Sequence, residues 1–215
     1  MENNDLIKIL NFTHEVYKVK HLLRFKGMPG WENEGIERWD SVAEHSYRMA
    51  ILAVMLAPYL NDKVSLEKVL KMILVHDIVE IIALDYSPVA THSGGGGHAF
   101  NEDAFQEKYK REVSSAEIIF KELPAELYSE FLNLFKEYIN TKANKEFSTA
   151  EGRFAYALDK IEATVQIIDW KRESKNWTEE NFNKSMSYMH EWSDYDPKIK
   201  EFASLVEEEA RKLIK

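Results

Sequence analysis

The stretch Leu74-Val75-His76-Asp77-Ile78-Val79-Glu80-Ile81-Ile82 sets three ionisable groups among residues as apolar as a protein core. Taking such groups out of water is costly unless they are paired, hydrogen-bonded or coordinated. The stretch also continues a helical pattern. After Ser65, the residues Val69, Ile73, His76 and Glu80 recur at steps of four, three and four, which puts them on one face. Asp77 sits beside them, four residues after Ile73 and three before Glu80. The expectation is a helix, capped by Ser65, that carries His76, Asp77 and Glu80 together.

Working outward, most long segments repeat their apolar residues at helical spacing, and only five prolines interrupt them. A first helix runs to about Phe25, where Gly27, Pro29 and Gly30 break the chain. Ser41 and Glu44 have the capping-box spacing that opens a second helix, whose stripe of Val42, Met49, Leu52, Leu56 and Tyr59 includes His45. Asn101 caps a fourth helix, and Pro124 opens a fifth. Ser148 and Glu151 again have the capping-box form and open a long sixth helix with Phe154, Leu158, Ile161, Val165 and Ile168 inward and Asp159 at the edge. Thr178 and Asp196-Pro197 start two more. No segment alternates with the period of a strand, so the fold reads as all-α.

Composition narrows the function. Apolar residues at 45% and charged residues at 30% mark a globular chain, and 215 residues suit a single domain. A net charge of −9 argues against a nucleic-acid partner, though not against a small phosphate ester. The absence of cysteine removes disulfides, thiolate metal sites and a cysteine nucleophile, and suits a cytoplasmic setting. Met49 to Leu60, the longest nearly unbroken apolar run, contains Pro58 and falls short of the roughly 20 residues of a membrane span. The N-terminus has no apolar core of the kind a signal peptide needs.

Four side chains of metal-ligand type lie in or beside apolar stripes on three helices: His45, His76, Asp77 and Asp159. Two imidazoles and two carboxylates suit a divalent ion such as Mn, Fe, Co, Ni or Zn. Periodicity alone leaves open whether they converge, since a histidine on an apolar stripe also serves as a satisfied core residue. From Asp85 to Phe100 the helical pattern gives way to Ser93-Gly94-Gly95-Gly96-Gly97-His98, either a surface connection or a lid. His92 and His98 flank the glycines and read as loop histidines. Trp31, in a Gly/Pro loop, reads as a packing anchor.

His45 within Val42-Ala43-Glu44-His45-Ser46, the doublet His76-Asp77, and Asp159 within Ala157-Leu158-Asp159-Lys160 together resemble the signature of HD-domain metal-dependent phosphohydrolases. Ile36 to Ser46 and the pattern His76-Asp77-x-x-Glu80 followed by Asp85 are similar to the branch that contains bacterial 5′-deoxynucleotidases and their eukaryotic relatives. The resemblance runs from about Val19 to about Ile168. It implies an HD-domain helical bundle of about seven to eight helices, with a core over about 19–170 and the helices of 178–214 packed on it. It implies one divalent ion (Mn, Co, Fe, Ni, Zn or Mg) on His45, His76, Asp77 and Asp159, with Glu80 and Asp85 as catalytic carboxylates. Arg24 and Arg38 are the implied grips on substrate phosphate, for which a planar guanidinium is suited. The implied reaction is phosphate release from a (deoxy)nucleoside 5′-monophosphate, and relatives of this branch often form homodimers.

Two features depart from the branch: Leu84 stands where glycine is frequent, and Ala90 to Phe100 matches poorly. Two other readings compete. Hydrolysis of a (p)ppGpp-type alarmone to pyrophosphate is usual for an HDxxED pattern, but here Glu80 is followed by Ile81. A metal- or nucleotide-binding regulator without turnover would not need Glu80 and Asp85 beside the four ligands.

Overall fold

The computed structural model describes residues 3–26, 35–84, 97–174 and 177–214. Eight helices of ten residues or more build this part of the chain: α1 (Asn3–Val16), α2 (Val42–Leu56), α3 (Leu66–Val75), α5 (Glu102–Ile119), α6 (Ala125–Ala143), α7 (Ala150–Ser174), α8 (Glu179–Ser193) and α9 (Pro197–Arg211). A single helical turn, α4 (Glu80–Ala83), lies between α3 and α5. Among the described residues, extended pairing is confined to two isolated bridges, Leu23 with Ser41 and Trp177 with Ile214. The all-α expectation holds.

The helices start where their polar residues can satisfy free N–H groups. Ser41, Ser65, Asn101, Thr178 and Asp196 each accept from a backbone N–H one turn on, and Ser41 with Glu44 completes a full capping box. One expected start is different. Thr149, not Ser148, accepts from the Gly152 N–H at 3.0 Å at the head of α7. Glu151 turns away and accepts from the Ser65 N–H at 2.9 Å, so it ties the start of α7 to the start of α3.

The decisive correction concerns α3, which stops at Val75 instead of continuing through the doublet. In an unbroken helix the Ile73 carbonyl would receive the Asp77 N–H. Here it accepts from His76 Nδ1 at 2.7 Å. The chain then tightens: Ile78 N–H reaches Val75 O at 3.2 Å and Glu80 N–H reaches Asp77 O at 3.1 Å. α4 ends at Leu84, whose φ of 64° and ψ of 152° favour glycine. The first helix also ends early, at Val16, followed by the 3-10 turn Tyr17–His21.

α7 is the central element. Phe154, Ala155, Tyr156, Ala157 and Leu158 are five buried residues in a row, so this helix is covered all round rather than along one stripe. α2, α3, α6, α8 and α9 pack against it, and one buried apolar cluster runs from Phe12 in α1 to Ala210 in α9. Gly152 lets α6 and α7 close: a Cβ there would lie 2.6 Å from Oγ1 of Thr141, which is fully buried. Helix propensity alone favours Gly152→Ala by about 1 kcal/mol, but the overlap opposes it. The variant is expected to lose about 1–3 kcal/mol of stability in chemical denaturation; a gain in stability would refute the close approach.

Candidate metal centre

Three pieces of local structure deliver the candidate ligands. His45 sits in the first turn of α2, anchored by the Ser41–Glu44 capping box. His76 and Asp77 occupy the tightened turn after α3, and Asp159 lies in the middle of α7. One ligand atom each from His45, His76 and Asp159 falls within 4.8 Å of the others. His45 Nε2 is 3.2 Å from Asp159 Oδ1 and 3.7 Å from Asp77 Oδ2, and His76 Nε2 is 3.1 Å from Asp77 Oδ2. Such separations suit nitrogen and oxygen donors that share one ion at about 2.0–2.2 Å.

The imidazoles are prepared for this role. The Ile73 carbonyl can only accept, so His76 Nδ1–H donates to it and Nε2 is the nitrogen turned to the centre. His45 Nδ1 meets the Glu162 carboxylate, which likewise directs Nε2 to the centre. Among the described residues, both Nε2 atoms are buried without a hydrogen bond. Buried polar atoms are rarely left so, and a metal ion would satisfy both. Asp159 divides its oxygens: Oδ1 faces His45, while Oδ2 accepts from Tyr138 Oη at 2.6 Å and from Lys160 Nζ.

A layer of charge stands behind His45. Glu162 has no exposed side-chain surface, yet it accepts from Arg24 Nη1 at 3.0 Å and Arg48 Nε at 2.7 Å besides its contact with His45. Arg48 also reaches Asp169 at 3.1 Å. Burial would raise the Glu162 pKa, but His45 and the two arginines hold it below the usual carboxylate range. Burial and Arg24 press the His45 pKa down, but Glu162 and Asp159 outweigh them and carry it up to about 9. Burial likewise opposes ionisation of Asp77 and Asp159; His76 and His45 hold Asp77 charged, and Lys160 and His45 do so for Asp159.

The structure thus gathers His45, His76 and Asp159 into one group and places Asp77 beside both histidines. Glu80 is buried at the first residue of α4 and shares with Asp77 the neighbourhood of Lys108. Arg24 is positioned by a bridge, its N–H on Asp40 O at 2.8 Å, and its guanidinium meets His45 at Nδ1, the nitrogen away from the ligand cluster. Arg38 is 76% exposed and pairs with Glu44. Asp85, Trp31 and His92 lie outside the described residues. Sequence reading passed over Glu162, Arg48, Tyr138 and three lysines. Glu162 and Arg48 had a signal: each follows a ligand on its own helix by three residues, and so shares its face.

The HD domain family matches residues 18–202 of the chain. The human 5′-deoxynucleotidase HDDC2 is 28% identical over 163 residues, which cover 76% of this chain and 68% of the relative. The Schizosaccharomyces pombe 5′-deoxynucleotidase hdd1 is 32% identical over 158 residues, 70% of this chain and 69% of the relative. A crystal structure described as a predicted metal-dependent phosphohydrolase from Magnetospirillum magnetotacticum superposes with a TM-score of 0.71 at 25% identity, covering 98% of this chain and 97% of that one. The Pyrococcus horikoshii protein PH0347 shares the fold with a TM-score of 0.65 at 24% identity, covering 93% and 99%.

Two outcomes are expected of the metal centre. The proton on His45 must leave before Nε2 can hold an ion, and its pKa of about 9 puts that competition in the neutral range. Raising the pH from about 6 to about 8 should therefore tighten Mn2+ binding about tenfold per unit, with proton release seen by calorimetry in buffers of different ionisation enthalpy. An affinity that stays flat over this range would contradict the assignment. Separately, Glu162→Gln should weaken Mn2+ binding about 10–100-fold while helical content is retained.

Proposed function

The chain belongs to the HD domain family, and on that premise we propose that it is a metal-dependent phosphohydrolase releasing phosphate from a (deoxy)nucleoside 5′-monophosphate. One observation carries the reading: two buried imidazole nitrogens without hydrogen bonds face two carboxylates across 3.1 to 3.7 Å. The relatives named 5′-deoxynucleotidases support the substrate class and favour it over the alarmone.

His45, His76, Asp77 and Asp159 would hold one divalent ion, of the set Mn, Co, Fe, Ni, Zn or Mg. When bound, such an ion supplies Lewis acidity, which acidifies water and neutralises phosphoryl oxygens. The chain's own groups do the rest. The oxygen of an attacking water bonds to phosphorus as the bond from phosphorus to the 5′ oxygen breaks. One carboxyl takes the proton of that water and one gives a proton to the leaving oxygen, roles that Glu80 and Asp85 divide. Arg24 acts as a positioning residue, because it reaches His45 and Glu162. Arg38 would have to leave Glu44 to reach a phosphate.

The reading extends to the setting. We take the chain as one HD-type domain, supported by its continuous apolar cluster. It includes a homodimer: Tyr47, Ile51, Val54, Met55 and Tyr59 expose a large apolar stripe along α2 and the turn after it. Neither a nucleic acid nor a membrane is a partner in this reading; the net charge is −9, and no described helix is long and apolar enough to cross a bilayer. The cysteine-free composition supports a cytoplasmic location.

The test is phosphate release from a panel of ribo- and deoxyribonucleoside monophosphates, with Mn2+ or Co2+ added and then chelated. Activity should require the ion. Asp77→Ala should abolish it together with bound metal. Glu80→Gln should lower kcat by about 10²–10⁴ and keep the metal. Cleavage of no panel member by metal-loaded protein would overturn the reading, and pyrophosphate formed from an alarmone would replace it.

A further inference from the structure

Three lysines from three helices lie near one another, Lys108 of α5, Lys142 of α6 and Lys160 of α7, and Lys108 and Lys160 act on carboxylates of the candidate metal centre. Lys160 Nζ lies 4.3 Å from the Tyr156 ring centroid and 5.3 Å from that of Tyr188. Lys142 Nζ lies 4.6 Å from the Phe105 centroid and 5.6 Å from that of Tyr188. Two ammonium groups therefore flank one tyrosine ring. Lys160 donates to Asp159 Oδ2, which puts its charge one carboxylate away from the ligand cluster. Lys108 pairs with Glu112 and also feels Glu80 and Asp77.

Lys142 differs from the other two. It donates to the His98 carbonyl at 2.6 Å, and among the described residues no carboxylate accepts a hydrogen bond from it. On balance its environment disfavours its own charge: burial, then Lys160, and also Lys108, outweigh the more modest support of Glu191 and Glu102 and pull its pKa down to about 8. Like charges brought together in a partly dry space repel, and an arriving anion relieves them. Asp77 and Asp159 would offset a divalent ion, while Glu80 and Glu112 face Lys108. Glu191 and Glu102 act on Lys142 only through space, so its ammonium has no hydrogen-bonded carboxylate among the described residues and is placed to engage an anionic ligand. A phosphate is suited to it, since an ammonium binds phosphoryl oxygens as a point charge and aromatic faces hold the ammonium in place.

We propose that Lys108, Lys142 and Lys160 form a cationic cradle for phosphate against the metal centre, with Lys142 as the group that the arriving anion engages. The proposal deepens the phosphohydrolase reading and rests on it for the identity of the anion. The cradle, rather than Arg38, grips the phosphate, and it retains inorganic phosphate after the reaction as a product inhibitor.

The probe is inorganic phosphate, titrated by calorimetry into the Mn2+-loaded full chain. Lys142→Met should weaken phosphate binding at least about tenfold. Lys142→Arg should stay within about threefold of the unaltered protein, because it restores the cation. Lys136→Met, an exposed lysine of the same helix paired with Glu117, should change nothing. Metal content should be equal in all four proteins. A second measurement needs no variant: saturating phosphate should slow acetylation of Lys142 severalfold, read by mass spectrometry, and leave Lys136 unaffected. Folded Lys142→Met that binds phosphate normally, or acetylation of Lys142 indifferent to phosphate, would overturn the cradle. If Lys142→Met does not fold, the acetylation result decides. Phosphate bound through Lys142 with no nucleotide cleaved would leave the cradle and remove the nucleotidase reading. Nucleotides cleaved with Lys142 irrelevant would do the reverse.

Discussion

Glu162 holds a full negative charge with no side-chain surface in water, and the centre depends on that charge being matched. Its partners come from across the helix packing, from α2 and the segment that leads into it. His45 and Arg48 reach it from α2, and Arg24 from the segment before α2. A buried ion pair contributes little net stability when complete, but leaves an uncompensated charge when one partner is removed. The network therefore specifies more than it stabilises. It favours the docking of α2 on α7 that aims His45 Nε2 at Asp159.

The turn after α3 solves a second problem. Two adjacent residues of a regular helix project about 100° apart and would not both face one point. By ending α3 at Val75 and giving the Ile73 carbonyl to His76 Nδ1, the chain orients His76 and brings Asp77 Oδ2 to 3.1 Å from it. The backbone cost appears at Leu84, where a residue with a side chain takes a glycine-like conformation as α4 ends. Both histidines thus have their inner nitrogen fixed from outside, one by a carbonyl and one by a carboxylate.

Much of this was legible in the residues themselves. The caps at Ser41, Ser65, Asn101, Thr178 and Asp196 are local chemistry, and local chemistry survives tertiary packing. The apolar periods gave the helices, and the buried ionisable doublet pointed to the centre. What periodicity could not reveal was the break at Val75, because the apolar spacing continues across it and the competing donor to the Ile73 carbonyl is a side chain, His76 Nδ1–H. The Ser148–Glu151 capping box failed for a related reason: Glu151 satisfies another helix. Glu162 and the three lysines were hidden because charged residues at helical spacing also describe a solvated face. Only the burial of Glu162, and the aromatic rings around Lys142 and Lys160, separate the two cases.

His45 and Glu162 stand 117 residues apart in the chain, and that separation has a bearing on how the protein is made. Synthesis runs from the N-terminus. A nascent chain that has emerged as far as α5 already carries both histidines, Asp77, and Asp40 to face Arg24 and Arg48, but not Glu162, the carboxylate that meets both arginines and the His45 ring at once. Contacts between such distant residues also form late, since the closure of a long loop precedes any return from them. The ribosome therefore releases three of the four proposed ligand residues first, and the arrangement proposed to hold an ion is complete only when α7 docks with Asp159 and Glu162.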